Sequence, residues 1–210
     1  MRPTTDDLFN PQEYREISSF SIDDTLKFLT AELGLAGKEG QQSKTAPYVM
    51  FAISMLLGFS MVYFSRQFGA EQMKNVGLCF LLLFTVVLPI HEWIHGLTFK
   101  SFKAPDVGYG FSLKGGMVYA YAQDFPISMA ELKKVAMMPF LIITPVLILA
   151  CFMLPSYSVG IVMMLLLHTI MCVGDFMLAW YAIKNKDRTI YTYDDIRNKK
   201  MSYFFEKINI

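Results

Sequence analysis

Charged residues are scarce in this chain. Of its 210 residues only 18% are charged, whereas 54% are hydrophobic. Soluble domains contain roughly 25% charged residues, and the apolar residues here come in long blocks, so an ordinary soluble globule is excluded. The formal net charge is only +1. Because so small a charge attracts no polyelectrolyte, we expect no nucleic acid partner.

Cysteine is scarce as well. The three cysteines (Cys79, Cys151 and Cys172) lie inside apolar blocks, and no CxxC pair occurs. This pattern excludes a zinc knuckle and a disulfide framework. No apolar run follows the polar residues 1–7, so a cleaved signal peptide is not expected.

The apolar blocks predict a membrane protein with about four transmembrane helices. Each block is long enough to cross about 30 Å of hydrocarbon at 1.5 Å per residue. The last two blocks are separated by a polar break at residues 155–158. The predicted spans lie near residues 46–65, 75–99, 135–154 and 159–183. The fold class is therefore mainly α, with a four-span membrane domain over residues 46–183.

The remaining segments are polar. Residues 1–45 form an N-terminal segment in which Ile22, Leu26, Leu29 and Leu33 recur at helical spacing, which predicts an amphipathic helix lying on the membrane or on the rest of the protein. Between the second and third spans, residues 106–123 carry two Tyr- and Val-containing stretches around a Gly-Gly pair. This pattern predicts a small β-hairpin. Residues 184–210 are interpreted as a polar tail.

The distribution of basic residues predicts the orientation. With four spans, the N-terminal segment, the hairpin loop and the tail share one side of the membrane. The basic residues on that side include Lys38, Lys44, Lys100, Lys103, Lys114, Lys133, Lys134, Lys184, Lys186 and Arg188. The opposite side carries only Arg66 and Lys74. The positive-inside rule therefore predicts a multi-pass protein of the cell membrane with both termini and the hairpin in the cytosol.

The sequence His91-Glu92-Trp93-Ile94-His95 stands at the end of the second apolar block. It is an HExxH motif, and ionisable groups in a membrane segment are costly unless something binds or pairs them. Positions 91 and 95 are one helical turn apart, so both imidazoles can reach one metal ion. Glu92 then lies beside the metal, where it can act as a general base. This arrangement predicts a Zn²⁺ site.

The third metal ligand is not part of the motif. Thr98 and Ser101 stand where the extended metzincin form has its Gly and its third His, so that form is absent. Asp175 is the preferred candidate, because in a four-span topology it lies at the same depth as the two histidines, roughly 6–12 Å from the cytosolic edge. The alternatives are His168, which could instead pair with Asp175, line a cavity or be a buried structural residue, and Glu131, which could instead cap a helix.

At this point the sequence resembles a known group. HExxH in one membrane helix and Gly174-Asp175 in a later one resemble the site-2 protease type of intramembrane metalloprotease. The closer resemblance is to a bacterial zincin peptidase family of multi-pass membrane proteins, which has segments like Pro126-Ile127-Ser128 and Met138-Pro139-Phe140. The resemblance covers about residues 75–183. The chain lacks the Asn-Pro-Asp-Gly or Leu-Asp-Gly signature of many site-2 proteases, and it has no PDZ-like insertion.

The resemblance implies a mechanism. His91, His95 and Asp175 would hold Zn²⁺, and Glu92 would take a proton from the attacking water and pass it to the leaving amine. The expected partners are the lipid bilayer and a membrane-protein or peptide substrate, which could pair with the edge of the hairpin. The alternative is a non-catalytic membrane scaffold that holds a structural zinc ion or none.

Overall fold

The computed structural model describes residues 2–34 and 69–208. The predicted first span, residues 46–65, lies outside these residues. Two described helices are long and apolar enough to cross a membrane, and a third crossing is possible if two shorter helices joined at a bend act as one. The prediction of a mainly helical chain is therefore confirmed, and its long apolar helices are compatible with membrane association.

Helix α3 carries the HExxH motif and spans Gly69–Ser101, which is longer than the predicted second span. A π-helical turn over Leu83–Val87 interrupts its regular hydrogen bonding just before the motif. Pro89 accounts for this turn, because it has no N–H and its ring would clash with the carbonyl four residues earlier in a regular α-helix. Such π turns are frequent at functional sites.

Helix α4 (Met129–Met153) begins at a capping box, as the sequence predicts. The Ser128 N–H donates to Glu131 Oε2 at 2.9 Å, and the Glu131 N–H donates to Ser128 Oγ at 3.4 Å. The Arg2 guanidinium also donates to Glu131 and to the Phe102 carbonyl, so the N-terminal residues contact this helix start.

The predicted fourth span is not one straight helix. The structure has helix α5 (Ser158–Met171) and helix α6 (Val173–Lys184), which meet at Cys172 with a bend of 45°. No proline marks this break, so the apolar pattern alone predicted a continuous helix. The bend places Asp175 in the first turn of α6.

The predicted hairpin is confirmed as strands β2 (Val107–Ser112) and β3 (Met117–Ala122). Gly110 pairs with Tyr119, and Gly108 pairs with Tyr121. At each pair a Cβ on the glycine would overlap the tyrosine ring, so the rings lie across the bare backbone of the partner strand.

A four-stranded antiparallel sheet was not predicted. It joins segments interpreted from sequence as an N-terminal helical segment and a polar tail. Its strands are β1 (Tyr14–Ser21), β4 (Ile127–Ser128), β5 (Ile190–Asp195) and β6 (Met201–Lys207), in the order β1-β6-β5-β4. The tail is therefore a structural element rather than a loose extension, because four of the seven residues of β6 are buried.

The two largest apolar cores of the described residues stabilise these elements. One joins the sheet to α4, α6 and the N-terminal helix α2 (Thr25–Glu32), with Phe204 of β6 packed against Phe28 and Tyr181. The predicted amphipathic helix is thus a short 3-10 turn followed by α2, and it packs on the protein. The other core lies between α3, α4 and α5 and includes Leu83 and Ile143.

Candidate metal centre

The HExxH residues are buried in the last part of helix α3. His91, Glu92 and His95 are each at most 7% exposed. The helix brings the two imidazoles together as expected for residues one turn apart. Their Nε2 atoms are 3.1 Å apart, so both rings present the same nitrogen to one point.

Asp175 meets both histidines from another helix. Its Oδ2 atom lies 3.1 Å from His91 Nε2, and its Oδ1 atom lies 3.4 Å from His95 Nε2. Asp175 reaches them from the first turn of α6, just beyond the bend at Cys172. The structure therefore brings the three sequence candidates for the metal ligands together.

The three ligand atoms fit a zinc ion by spacing and by chemistry. Zinc bonds of about 2.0–2.1 Å in a tetrahedral arrangement separate neighbouring ligand atoms by about 3.3 Å. The two Nε2 atoms are 3.1 Å apart, and each lies near a different oxygen of Asp175, His91 Nε2 at 3.1 Å from Oδ2 and His95 Nε2 at 3.4 Å from Oδ1. Two imidazole nitrogens and one carboxylate form a donor set typical of catalytic zinc. His91, His95 and Asp175 would therefore hold a zinc ion.

His168 supports the metal-ligand candidate His91. The Nδ1 atom of His91 lies 3.2 Å from Nε2 of His168, which is fully buried. If His91 donates its Nδ1–H to His168, its Nε2 keeps the lone pair that a metal requires. Metal-binding histidines usually donate their other N–H in this way.

The general-base candidate lies next to the metal ligands. Glu92 Oε2 is buried and has no hydrogen-bond partner among residues 2–34 and 69–208. A buried carboxylate oxygen without a partner is costly, so this atom is positioned for a proton or a ligand rather than for a structural contact.

A comparison with protein families decides which group the chain belongs to. A family model described as "Putative zincin peptidase" matches residues 82–190, which is slightly more than half of the chain. The chain belongs to this zincin peptidase family. No curated protein and no solved structure matches it. Family membership supports a zinc-dependent metallopeptidase, and the matched residues include all three metal-ligand candidates.

The zincin peptidase site opens into a largely apolar cavity of about 420 Å³. His91, Glu92, His95 and Asp175 all line it. Helix α2 contributes Leu26 and Leu29, and strand β6 contributes Ser202 and Phe204. Pockets that bind organic ligands have volumes of roughly 300–1,000 Å³, so the space suits a short stretch of a peptide.

One edge of the hairpin faces this cavity. The Gln123 N–H donates to the Asp106 carbonyl at 3.0 Å, toward β2. Because backbone groups alternate in direction along a strand, those of Val118 and Ala120 point away from β2. Both residues line the cavity. Between residues 117 and 122 this edge pairs with no other strand in the described parts of the chain.

The other two sequence candidates, His168 and Glu131, are not among the three proposed ligands. His168 contacts His91, and it is not paired with Asp175, which was one of its predicted roles. It also forms a second possible metal-ligand group with His91 and Cys172. We interpret this group as support for the first, because His91 Nε2 belongs to the first and only its Nδ1 faces the second. Glu131 caps helix α4 and lies outside both groups.

Sequence reasoning missed the contribution of the two chain ends to the cavity wall. The N-terminal helix was expected on the membrane or the protein, and the tail was interpreted as polar. The run from Met201 to Phe205 carries three aromatic residues. This run is typical of a strand, and its partner strands could not be predicted from its own residues.

Proposed function

We propose that this protein is an intramembrane zinc metallopeptidase of the site-2 protease type that hydrolyses peptide bonds near the cytosolic face of the cell membrane. The observation that carries the proposal is the convergence of His91, His95 and Asp175 from two apolar helices at zinc-ligand spacing. A charged cluster of this kind inside membrane helices is costly without a function.

The residues divide the reaction between them. His91, His95 and Asp175 would hold Zn²⁺, which when bound would supply the Lewis acidity that makes a water nucleophilic near neutral pH and polarises the substrate carbonyl. Glu92 removes a proton from the attacking water and then delivers a proton to the leaving amine nitrogen. His168 holds the ring of His91 through its Nδ1–H. The apolar walls limit the access of bulk water.

The cavity supports an extended substrate. A peptide that pairs with β3 at Val118 and Ala120 would run past Glu92, which lines the same cavity. Pairing with a strand edge supplies affinity through backbone hydrogen bonds and leaves side chains to specify the sequence. A membrane protein whose span unwinds locally would provide such a segment.

Cytosolic placement rests on the distribution of basic residues. The hairpin and the tail carry more lysine than the predicted opposite side, which favours the cytosol for both. In this orientation both termini are cytosolic, and the site lies on the same side.

The test uses the full-length protein in liposomes with a single-span test substrate tagged at both ends. We expect Glu92→Gln to abolish cleavage and to retain zinc at about one ion per chain, because Glu92 lies beside the ligands. Asp175→Ala should lose both cleavage and zinc. Glu71→Gln is the matched control, since Glu71 is an exposed glutamate on the same helix.

The outcomes separate the alternatives. Cleavage by Glu92→Gln at the wild-type rate would remove Glu92 from the chemistry. Zinc binding without cleavage of any substrate by the wild type would favour a scaffold. If the fragment that carries the cytosolic tag is short, this result would support a cleavage site near the cytosolic face.

A further inference from the structure

Helix α4 has two prolines in its interior, Pro139 and Pro145. In an α-helix the N–H of each residue donates to the carbonyl four residues earlier. Proline has no N–H, so the carbonyls of Val135 and Leu141 lack their regular helical donor. A buried carbonyl without a donor is costly, and another group is expected to supply the hydrogen.

The donor at Val135 is a metal-ligand candidate. His95 Nδ1 lies 2.8 Å from the Val135 carbonyl oxygen, and the bond crosses from α3 to α4. All three residues involved are buried, with Val135 5% exposed and Pro139 less than 2% exposed. Solvent therefore does not compete for this carbonyl.

This bond determines which nitrogen of His95 carries the hydrogen. A carbonyl can only accept, so Nδ1 must carry a hydrogen, and in the neutral imidazole that binds a metal Nε2 then keeps its lone pair. Nε2 is the atom that faces His91 Nε2 at 3.1 Å and Asp175 Oδ1 at 3.4 Å. The contact thus aims the correct atom of His95 at the proposed zinc position.

We propose that Pro139 is a positioning residue for the zinc site: by withholding an N–H, it leaves the Val135 carbonyl to accept the Nδ1–H of His95. This role rests on the proposed zinc chemistry of His95. Pro139 touches neither metal nor substrate in the reaction. Its contribution is to leave the Val135 carbonyl oxygen free to accept a hydrogen bond where α4 passes His95.

The matched pair of substitutions is Pro139→Ala and Pro145→Ala. Each replaces an interior proline of the same helix with the residue of highest helix propensity. Only Pro139→Ala returns an N–H that competes with His95. Pro145→Ala returns an N–H to the carbonyl of Leu141, whose side chain is 56% exposed on the outer surface.

The first measurement is zinc affinity, by competition with a chelator on the purified full-length protein. Outer contacts of metal-bound histidines are worth roughly 10–100-fold in metal affinity. We expect a loss of about that size in Pro139→Ala and no loss in Pro145→Ala. Unchanged affinity in Pro139→Ala, or an equal loss in both variants, would overturn the proposal.

The second measurement needs neither a variant nor zinc. The chain has only three histidines, so ¹⁵N-histidine labelling of the metal-free protein resolves the tautomer of each ring. Wild-type His95 should be the Nδ1–H form, and Pro139→Ala should become a mixture of tautomers. A wild-type His95 in the Nε2–H form refutes the proposal even if Pro139→Ala fails to fold.

The two measurements also separate this inference from the proposed function. If the wild type binds no zinc, the proposed function fails. The tautomer of His95 still reports whether Pro139 releases the Val135 carbonyl to it, because that bond exists without the metal. If the wild type binds zinc and His95 is the wrong tautomer, only the role of Pro139 fails.

Discussion

Both histidines of the HExxH motif present Nε2 to Asp175, and each has a different partner at Nδ1. His95 faces a backbone carbonyl, whereas His91 faces the ring of His168. A carbonyl can only accept, but an imidazole nitrogen can donate or accept depending on its tautomer. The His91 contact is therefore the less constrained of the two, and it depends on one replaceable side chain.

Removing that side chain should weaken the site. His168→Phe fills the space without an acceptor for the His91 Nδ1–H, so we expect zinc affinity to fall by roughly 10–100-fold. His168→Gln keeps an oxygen that can accept and should recover part of the loss. Chelator competition measures both variants. Equal affinity in wild type and His168→Phe would limit His168 to packing.

At the scale of secondary-structure elements, one glycine allows the hairpin to lie against the helix that carries the HExxH motif. Gly96 directly follows His95, and a Cβ at this position would overlap the Tyr109 ring of β2. The hairpin edge beside the cavity therefore depends on this close approach.

Substitution of this glycine should displace the hairpin. Overpacking of this kind costs typically about 1–3 kcal/mol, so we expect Gly96→Ala to lower the melting temperature and cleavage together. Zinc content should change little, because the three ligands lie on helices. Adding Tyr109→Ala removes the overlap and should restore stability. Failure of the double variant to recover would assign the effect to the helix itself.

Local patterns predicted the elements well where neighbours in sequence decide the structure. The i, i+4 spacing of His91 and His95, the capping box at Ser128 and the turn at Gly115-Gly116 all belong to short segments. The bend at Cys172 could not be predicted, because no proline stands there and the one nearby glycine, Gly174, is a residue that helices tolerate. The β1–β6 pairing joins segments nearly a whole chain apart, and no pattern within either strand specifies its partner.

At the scale of the whole molecule, one glutamate ties together distant segments. Glu206 on β6 accepts from Arg188 at 2.7 and 2.9 Å and from Arg15 on β1 at 2.9 Å. Hydrogen bonds from Arg188 and then Arg15 lower the pKa of Glu206 from 4.5 to about 2. The charged form is therefore favoured by folding.

This pKa gives a pH dependence with a definite sign. Since the folded pKa lies below the unfolded value, the stabilisation is complete above pH 4.5 and is lost as the pH falls through about 2. We expect its size to be about 1 kcal/mol, because solvent screens the pair. Thermal unfolding in detergent across this acid range should show a smaller pH dependence in Glu206→Gln than in the wild type. An identical slope in both would exclude this contribution.

The order of strands in the sheet has a consequence for biosynthesis. Strand β6 lies between β1 and β5, and it is translated after every described membrane helix. The position between β1 and β5 is therefore unfilled while the helices insert. Because Ser202 and Phe204 of this strand line the cavity, a nascent chain carries the proposed metal ligands before this cavity wall is complete. We therefore expect the proposed peptidase activity to begin only after β6 has been translated.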